Sequence, residues 1–446
     1  MNDTPSRARP VPVPSGRLSR LTRLGTMTAG VAGNMALQGI GQLGRGQRPA
    51  FRDLLLTPGN MTRIADQLAN MRGAAMKVGQ LVSMDTGEML PPELAQIMAR
   101  LRDDAHFMPP AQLRQVLDAQ WPKNWLQQFK TFDVRPIAAA SIGQVHRAVL
   151  RDGRTLAIKV QYPGVARSID SDVTNVGALI RMTGLLPKGL DLAPYLAEAR
   201  QQLHDETDYL REAAQLQRFG TLLADQPQFT VPGLHDDLTT GQVLAMDFVP
   251  GRSIETAADA PQDTRDRIAR DLIALTLAEL FDFNAMQTDP NFANYRWQAD
   301  TGRIVLLDFG AARDIAPDVA ARYLALIRAG LADDPAALGE CAAAIGFIGP
   351  ATQATHRAQI IAMMRDVFAA LTAPQIDFAD QTLSRRLQQQ GIALAEDGFI
   401  PPPLPIDVLL LQRKFGGIFL LAARLGASVD VMELLRPYLT PETAES

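Results

Sequence analysis

The sequence predicts an α+β protein of two lobes, because the spacing of its apolar residues changes along the chain. Residues 51–130 carry apolar positions at helical spacing, as in MTRIADQLANMRGAAMKVGQLVSM. The segment FDVRPIAAASIGQVHRAVLRDGRTLAIKVQYPGV has the pattern of a β-hairpin instead, and from residue 260 onward the chain is again mostly helical. A length of 446 residues is enough for two or three compact units.

The composition is that of a globular protein and excludes several classes of function. Apolar residues make up 47% of the chain and charged residues 21%, and the net charge is −4, so bulk charge does not favour a nucleic-acid partner. A single cysteine, Cys341, excludes a disulfide framework and a cysteine-based zinc site. The five histidines do not show the spacing of metal ligands.

The first fifty residues are predicted to form a tail that contains one uncharged segment. The first 23 residues lack the apolar core and cleavage site of a signal peptide, so none is expected. Leu24–Leu43 is long enough to cross a bilayer but contains several amides and glycines. Gly25, Ala29 and Gly33 would let two helices approach closely. Three interpretations stay open: a glycine-rich leader or surface helix, an interfacial or self-associating membrane helix, and a transmembrane span.

The predicted hairpin places a lysine on its second strand. One strand ends near Leu150, Asp152-Gly153 forms the turn, and TLAIKVQY runs back. Lys159 on that strand could be an ordinary exposed lysine. In protein kinases, however, the lysine of a V-A-I-K strand reaches the α- and β-phosphates and pairs with a glutamate on a helix. Glu212, in the acid-rich helical stretch HDETDYLREAAQ, is the candidate partner, and a solvated acidic face is the alternative.

A strand and two polar motifs follow in the order that a phosphoryl-transfer site requires. QVLAMDFVPG predicts a strand and a Pro-Gly hinge, with Met246 and Phe248 as candidate nucleotide-binding residues. Asp289 and Asn294 have the Asp-x₄-Asn spacing of the kinase catalytic loop, and Asp308 opens Asp-Phe-Gly after RIVLL. Asp289 would orient or deprotonate the attacking oxygen, while Asn294 and Asp308 would hold Mg²⁺ against the phosphates. This order of motifs predicts a protein-kinase-like fold that binds ATP and Mg²⁺.

Three departures from ordinary protein kinases bear on the substrate. Gln287-Thr288 stands where a His-Arg pair usually precedes the catalytic aspartate. Ala316-Pro317-Asp318 follows Gly310 after only five residues, which leaves no room for a loop that docks a peptide substrate. The glycine-rich loop over the phosphates is replaced by an alanine-rich one made of Ala138, Ala139, Ala140 and Ser141.

Together these residues resemble the ABC1/UbiB/AarF atypical kinase-like family, and within it the coenzyme Q8-like branch. The resemblance covers roughly residues 55–440. The form MQTDPN resembles that of the coenzyme Q8-like branch. The pair of long apolar C-terminal helices carried by UbiB-type members is not evident in the sequence. The motifs that carry it are K-x-G-Q at Lys77–Gln80, the A-A-A-S loop, Lys159, E-x-D at Glu206–Asp208, Glu212-Ala213, QTDPNFAN, DFGAAR and LLLQRKFGGIFLLAARLGA.

The resemblance implies a helical extension that folds over the active site of a two-lobed kinase-like domain. Lys77 would then meet Glu206 and Asp208, and Gln80 would line the nucleotide pocket. Those three charged residues join Lys159, Glu212 and Asp289 as candidate catalytic residues. The predicted segments are a tail with a candidate membrane-associating part (1–50), the K-x-G-Q extension (51–130), an N-lobe (131–250) and a helical C-lobe (251–446).

Three functions remain open at this stage. The first is an ATPase or small-molecule kinase that supports ubiquinone biosynthesis at a membrane surface. The second is a nucleotide-binding scaffold for biosynthetic enzymes, and the third is a protein kinase. The expected partners are ATP, a quinone-like lipid or membrane surface, enzymes of ubiquinone biosynthesis and a second copy of the chain. The expected location is the bacterial cytoplasm beside the inner membrane, or the mitochondrial inner membrane in a eukaryote.

Overall fold

A computed structural model describes residue 68 and residues 71–85, 107–140, 142–183 and 191–440. These residues form two units, one made of the described residues up to Gln217 with Gly233–Phe248, the other of Arg218–Pro232 and the described residues from Val249. The four-segment division inferred from the sequence stays a prediction. Leu24–Leu43 and Ser141 lie outside the described residues. Within the described part, no helix is both long and apolar enough to span a bilayer.

Short strands and longer helices alternate along the described chain. The strands are β1 (Phe129–Phe132), β2 (Ala138–Ala139), β3 (Gly143–Leu150), β4 (Thr155–Gln161), β5 (Phe229–Thr230), β6 (Val243–Asp247), β7 (Arg252–Ser253), β8 (Ala285–Gln287), β9 (Tyr295–Trp297), β10 (Ile304–Leu306), β11 (Ala312–Asp314), β12 (Ile376–Asp377) and β13 (Ser428–Val429). The helices are α1 (Arg72–Asp85), α2 (Pro110–Gln120), α3 (Val165–Thr183), α4 (Ala193–Thr207), α5 (Tyr209–Leu222), α6 (Gln262–Phe281), α7 (Pro317–Leu331), α8 (Pro335–Ile345), α9 (Ala354–Leu371), α10 (Thr382–Glu396), α11 (Ile406–Leu425) and α12 (Val431–Leu439).

The first unit is built on an antiparallel sheet in the order β1-β3-β4-β6, with β2 also paired to β3. The predicted hairpin of β3 and β4 is confirmed. Its turn closes because Gly153 takes a φ of +95°, a conformation that glycine adopts without strain. Asp152 supports the turn by accepting a hydrogen bond of 3.0 Å at its Oδ1 from the backbone N–H of Arg154.

An aromatic cluster fills the core of this sheet. The ring centroids of Trp121 and Trp125 lie 5.2 Å apart, and Phe129 stacks on Trp121 at 5.7 Å. The prediction that residues 51–130 are helical throughout was wrong at its end, where a 3₁₀ turn at Trp125–Gln128 leads into β1. The tertiary environment decides this, because β1 pairs with β3 and so buries Phe129.

The second unit joins three small groups of strands to a helical core. β5-β10-β9-β7 form one sheet, β8 pairs with β11, and β12 pairs with β13. The sequence predicted a single strand after residue 260, so β8, β9, β11, β12 and β13 were missed. A strand of two or three residues is too short to show a periodicity, and its pairing partner lies elsewhere in the chain. α6 runs through this unit with most of its last three turns buried.

Close contact between helices α7 and α9 predicts a cost for Gly330→Ala. A Cβ at Gly330 would lie 2.1 Å from Cδ2 of Phe368. We expect Gly330→Ala to lower the free energy of unfolding by about 1–3 kcal/mol, because the Phe368 ring must shift. Gly391 on α10 is the matched control, since a Cβ there would meet nothing within 4 Å. Gly391→Ala should be neutral or stabilising, and equal urea midpoints for the two variants would contradict the prediction.

Buried His146 on β3 predicts a pH-dependent stability for the first unit. Its Nδ1–H donates to the Asp133 carbonyl at 2.8 Å, and its Nε2 accepts from the Gln144 amide at 2.9 Å. Burial lowers the pKa of His146 from 6.5 to about 4, although Asp133 opposes the shift. Between pH 6.5 and about 4, His146 therefore binds a proton in the unfolded chain but not in the folded chain.

The expected consequence is a loss of stability on acidification. The contribution is complete above pH 6.5 and falls by about 3 kcal/mol as the pH drops towards 4. His146→Gln removes the titrating group, so its free energy of unfolding should fall less over the same range. Urea unfolding at several pH values measures the difference, and parallel curves for the two proteins would rule the contribution out.

Candidate functional site

Lys159 and Glu212 form a buried ion pair in the first unit. The Lys159 Nζ lies 2.8 Å from Oε1 and 2.9 Å from Oε2 of Glu212. Lys159 is 7% exposed and Glu212 2% exposed. Lys159 projects from the middle of β4, and Glu212 belongs to the first turn of α5. A lysine that engages both oxygens of one carboxylate is held in a single orientation, which is what a phosphate-binding lysine needs.

The K-x-G-Q lysine is also paired with a carboxylate within this unit. Lys77, on α1, forms an ion pair with Glu206, near the end of α4. Asp208 was expected to join them, but among the described residues its carboxylate is not an ion-pair partner of Lys77. Asp208 instead precedes α5 and accepts a 3.0 Å hydrogen bond from the backbone N–H of Arg211, because an acidic side chain satisfies an N–H left open in the first turn of a helix. Gln80, half-buried, follows Lys77 by three residues on α1.

The first two residues of the alanine-rich segment form a short strand. Ala138 and Ala139 are exposed and pair with Val145 and Gln144 of β3. The backbone N–H of Ala140 donates to the Gly143 carbonyl at 2.8 Å. Gly143 has no room for a side chain, since a Cβ would lie 2.5 Å from the Val160 carbonyl oxygen and 2.9 Å from the Tyr209 hydroxyl oxygen.

The two candidate residues near the predicted hinge lie at the end of β6. Met246 is buried and pairs in register with Ala157 of β4. Phe248 follows the strand, and its N–H donates to the Thr155 carbonyl at 2.9 Å. The Arg147 guanidinium lies 5.2 Å from the centre of the Phe248 ring. Both residues are therefore fixed to the sheet that carries Lys159.

Asp289 and Asn294 are held together in the second unit. The Asn294 side-chain amide donates to the Asp289 carbonyl at 3.2 Å and to Oδ2 of its carboxylate at 3.4 Å. The Asp289 N–H donates to Oε1 of Gln287 at 3.0 Å. The loop thus closes on itself, and the spacing of four intervening residues allows the closure.

The loop that contains Asp308 is tied to the Asp289 loop at both ends. Before it, β9 and β10 pair, and the Leu307 N–H donates to the Asn294 carbonyl at 3.0 Å. After it, β8 and β11 pair, and the Thr288 hydroxyl donates to the Ala311 carbonyl at 2.9 Å. Oδ1 of Asp308 accepts from the Gly310 N–H at 3.0 Å. The strand pairings missed by the sequence analysis therefore bring these two loops together.

The oxygen donors of these loops fit a magnesium ion that also binds phosphates. Among the described residues, His, Cys, Asp and Glu do not form a group of three or more that could hold a metal ion. Mg²⁺ usually takes one or two protein oxygens and completes its shell with phosphate and water. Asn294 and Asp308 offer one amide oxygen and one carboxylate, which suits such partial coordination.

Helix α11 supplies functional candidates that the sequence analysis missed. The Arg413 guanidinium forms an ion pair with Oδ1 of Asp289. Its neighbour Lys414 lies 3.0 Å from Oε2 of Glu279 and donates to the Tyr295 hydroxyl at 3.3 Å. Burial lowers the pKa of Lys414, but the attraction of Glu279 and Tyr295 outweighs it and raises the pKa overall. The sequence signals were two adjacent cations in a largely apolar helix and the place of that helix among the family motifs, which assigned neither cation a role.

The fold and these motifs define a protein-kinase-like protein. Residues 100–342 match the ABC1 atypical kinase-like domain, and the chain belongs to that family. It is 39% identical to the mitochondrial atypical kinase COQ8 of Saccharomyces cerevisiae, over 95% of this chain and 85% of that protein. It is 37% identical to the mitochondrial atypical kinase COQ8B of Rattus norvegicus, over 96% of this chain and 82% of that protein.

A solved structure agrees with the family assignment. The complex of Rv3197 with erythromycin from Mycobacterium tuberculosis superimposes with a TM-score of 0.61 at 25% identity, covering 86% of this chain and 98% of that one. The predicted family and the kinase-like α+β fold are therefore confirmed. The roles of the individual site residues stay predictions.

The buried pair predicts a large loss of stability on removal of its acid. Glu212→Ala should lower the free energy of unfolding by about 3–5 kcal/mol, because the Lys159 charge stays buried without the Glu212 carboxylate. Asp318 pairs with Arg322 at 2.7 Å on the surface and serves as a control. Asp318→Ala should cost less than about 1 kcal/mol. Similar urea midpoints for the two variants would contradict a buried, structurally important pair.

Proposed function

We propose that this chain is an Mg²⁺-ATP-dependent ATPase or small-molecule kinase that supports ubiquinone biosynthesis at a membrane surface. The proposal rests on the candidate phosphoryl-transfer side chains and on the short chain segment after Asp-Phe-Gly, which leaves almost no room for docking a peptide. β11 and α7 follow Gly310 at once, with α7 beginning at Pro317. A small acceptor or water fits this arrangement better than a protein substrate does.

The proposed chemistry gives each candidate side chain a task. Lys159 would bind nucleotide phosphates, and Glu212 would hold the lysine in place. Bound Mg²⁺ would neutralise phosphate charge, with Asn294 and Asp308 as its protein ligands. Asp289 would orient the attacking oxygen and accept its proton.

Further residues are proposed for the nucleotide and its surroundings. The Lys77–Glu206 pair and Asp208 belong to the proposed catalytic set. The remaining nucleotide-binding candidates are Gln80, Ala138, Ala139, Ala140, Ser141, Met246 and Phe248. The exposed alanine side chains of β2 would keep phosphates further from the backbone than glycines would.

The biological setting is proposed from the relatives and the tail. Two of them are named mitochondrial atypical kinases COQ8 and COQ8B, and the QTDPN motif resembles the coenzyme Q8-like branch. We propose a quinone-like lipid or membrane surface and enzymes of ubiquinone biosynthesis as partners, and peripheral association with the inner membrane. Self-association through Gly25, Ala29 and Gly33 is part of the same proposal and concerns residues outside the described ones.

ATP hydrolysis with Mg²⁺, with and without anionic liposomes, tests the proposed activity. Asp308→Asn should lower turnover roughly a hundredfold or more, because it removes a charged metal ligand. Asp300→Asn is the matched control, since it makes the same chemical change in an exposed turn of the same unit. It should keep the turnover of the natural chain.

The outcomes separate the open functions. Liposome-stimulated turnover that Asp308→Asn abolishes would support a membrane-coupled ATPase. Tight nucleotide binding without turnover under any condition would contradict it and favour the scaffold. Transfer of phosphate to a partner protein faster than to the chain itself would favour a protein kinase.

A further inference from the structure

We propose that Arg413 is a positioning residue for the Asp289 carboxylate. We further propose that Gly417 lets α11 approach the Asp289 loop closely enough for Arg413 to reach that carboxylate. The inference rests on the proposed function, because it assigns Asp289 the role of orienting the attacking oxygen. It assigns a role to the QRKFGG part of α11, which contains none of the proposed nucleotide-binding or metal-binding residues.

The two oxygens of the Asp289 carboxylate have different donors. Arg413, whose side chain is 12% exposed, forms an ion pair with Oδ1. Asn294 donates its amide to Oδ2 at 3.4 Å. A carboxylate held at both oxygens cannot rotate about its Cβ–Cγ bond without losing a contact. The planar guanidinium fork suits this task, because its donors point in fixed directions.

Gly417 lies one helical turn after Arg413 and contacts the residue after Asp289. A Cβ at Gly417 would lie 2.4 Å from Cγ and 2.5 Å from Cβ of Pro290. The Pro290 ring cannot turn away, because it is bonded to its own backbone nitrogen. Residues four apart share one face of a helix, so Gly417 sets how closely α11 approaches the loop that Arg413 must reach.

Lys414 fixes the same helix to both ends of this loop. It is 1% exposed, forms an ion pair with Glu279 and donates to the hydroxyl of Tyr295, which follows Asn294. Oε1 of Glu279 accepts from the N–H of Gln287 at 3.3 Å. Residues 287–295 are thus held at their start by Glu279 of α6, which pairs with Lys414, and by α11 at Asp289 and at their end. Gln287-Thr288 stands where protein kinases usually carry His-Arg, and the arginine that pairs with Asp289 belongs to α11.

The helix provides its own control for a test. Gly416 is exposed, and a Cβ there would meet nothing within 4 Å, whereas Gly417 is crowded by Pro290. Both substitutions add one methyl group to neighbouring positions of α11. We expect Gly417→Ala to lower kcat by about tenfold or more, because small displacements of a positioned group are costly. Gly416→Ala should change it by less than about twofold, and neither should shift the Kd of a fluorescent ATP analogue by more than about twofold.

A second set of variants asks whether Arg413 acts through Asp289. Arg413→Ala should lower kcat by about tenfold or more in the natural chain but change the residual turnover of Asp289→Asn by less than about twofold. Arg413→Lys should restore part of kcat, since it keeps the charge and loses the fork. Equal relative losses in the two backgrounds, or unaltered kcat in Gly417→Ala, would overturn the inference.

Hydrogen exchange keeps the inference testable if the chain does not hydrolyse ATP. Peptides that cover residues 287–295 should exchange faster in Gly417→Ala and Arg413→Ala than in Gly416→Ala. Absent turnover in the natural chain would overturn the proposed activity while leaving this comparison intact. Equal protection of the loop in all the variants would overturn the positioning role.

Discussion

A charge that leaves water must meet an opposite charge, and the Lys159–Glu212 pair is where this constraint is strongest in the first unit. Lys159 lies within β4, where every residue from Leu156 to Gln161 is buried. Its ammonium group is therefore compatible with the sheet only if α5 begins where Glu212 can reach it. The Asp208 side chain helps to fix that start by accepting from the N–H of Arg211.

The second unit also buries a pair of opposite charges, next to the loop that holds Asp289 and Asn294. Lys414 and Glu279 are almost completely buried, and each is accommodated because the other is present. Through hydrogen bonds to Gln287 and Tyr295, they attach the loop that holds Asp289 and Asn294 to the helical core. The pairings of β9 with β10 and of β8 with β11 then place the Asp308 loop beside the Asp289 loop. A loop with few apolar side chains is thus ordered by charge pairing and strand pairing rather than by a core of its own.

These constraints explain how the proposed kinase-like site could form without a long segment after Asp-Phe-Gly. The side chains proposed for phosphoryl transfer are anchored by α5, α6 and α11, and none of these anchors needs a long segment after Asp-Phe-Gly. The Phe309 ring contributes to the same packing, with its centroid 4.8 Å from that of Phe219. The early start of α7 therefore leaves Asp308 undisturbed, and it supports the proposed restriction on peptide substrates. The catalytic proposal and the restriction on substrates come from separate parts of the chain.

Local sequence patterns were enough to predict the β3–β4 hairpin, the family and the candidates Lys159, Glu212, Asp289, Asn294 and Asp308. Each of these depends on local information: an alternation, a turn at Gly153 or a fixed spacing between polar residues. Long-range packing was needed to reveal β8, β9, β11, β12 and β13, the cap formed by Asp208 and the contacts of α11 with the Asp289 loop. Arg413 and Asp289 are 124 residues apart, so their pairing leaves no periodic or spacing signal in the chain. Local patterns encode which side chains can do chemistry, whereas long-range packing decides which distant residues hold them in place.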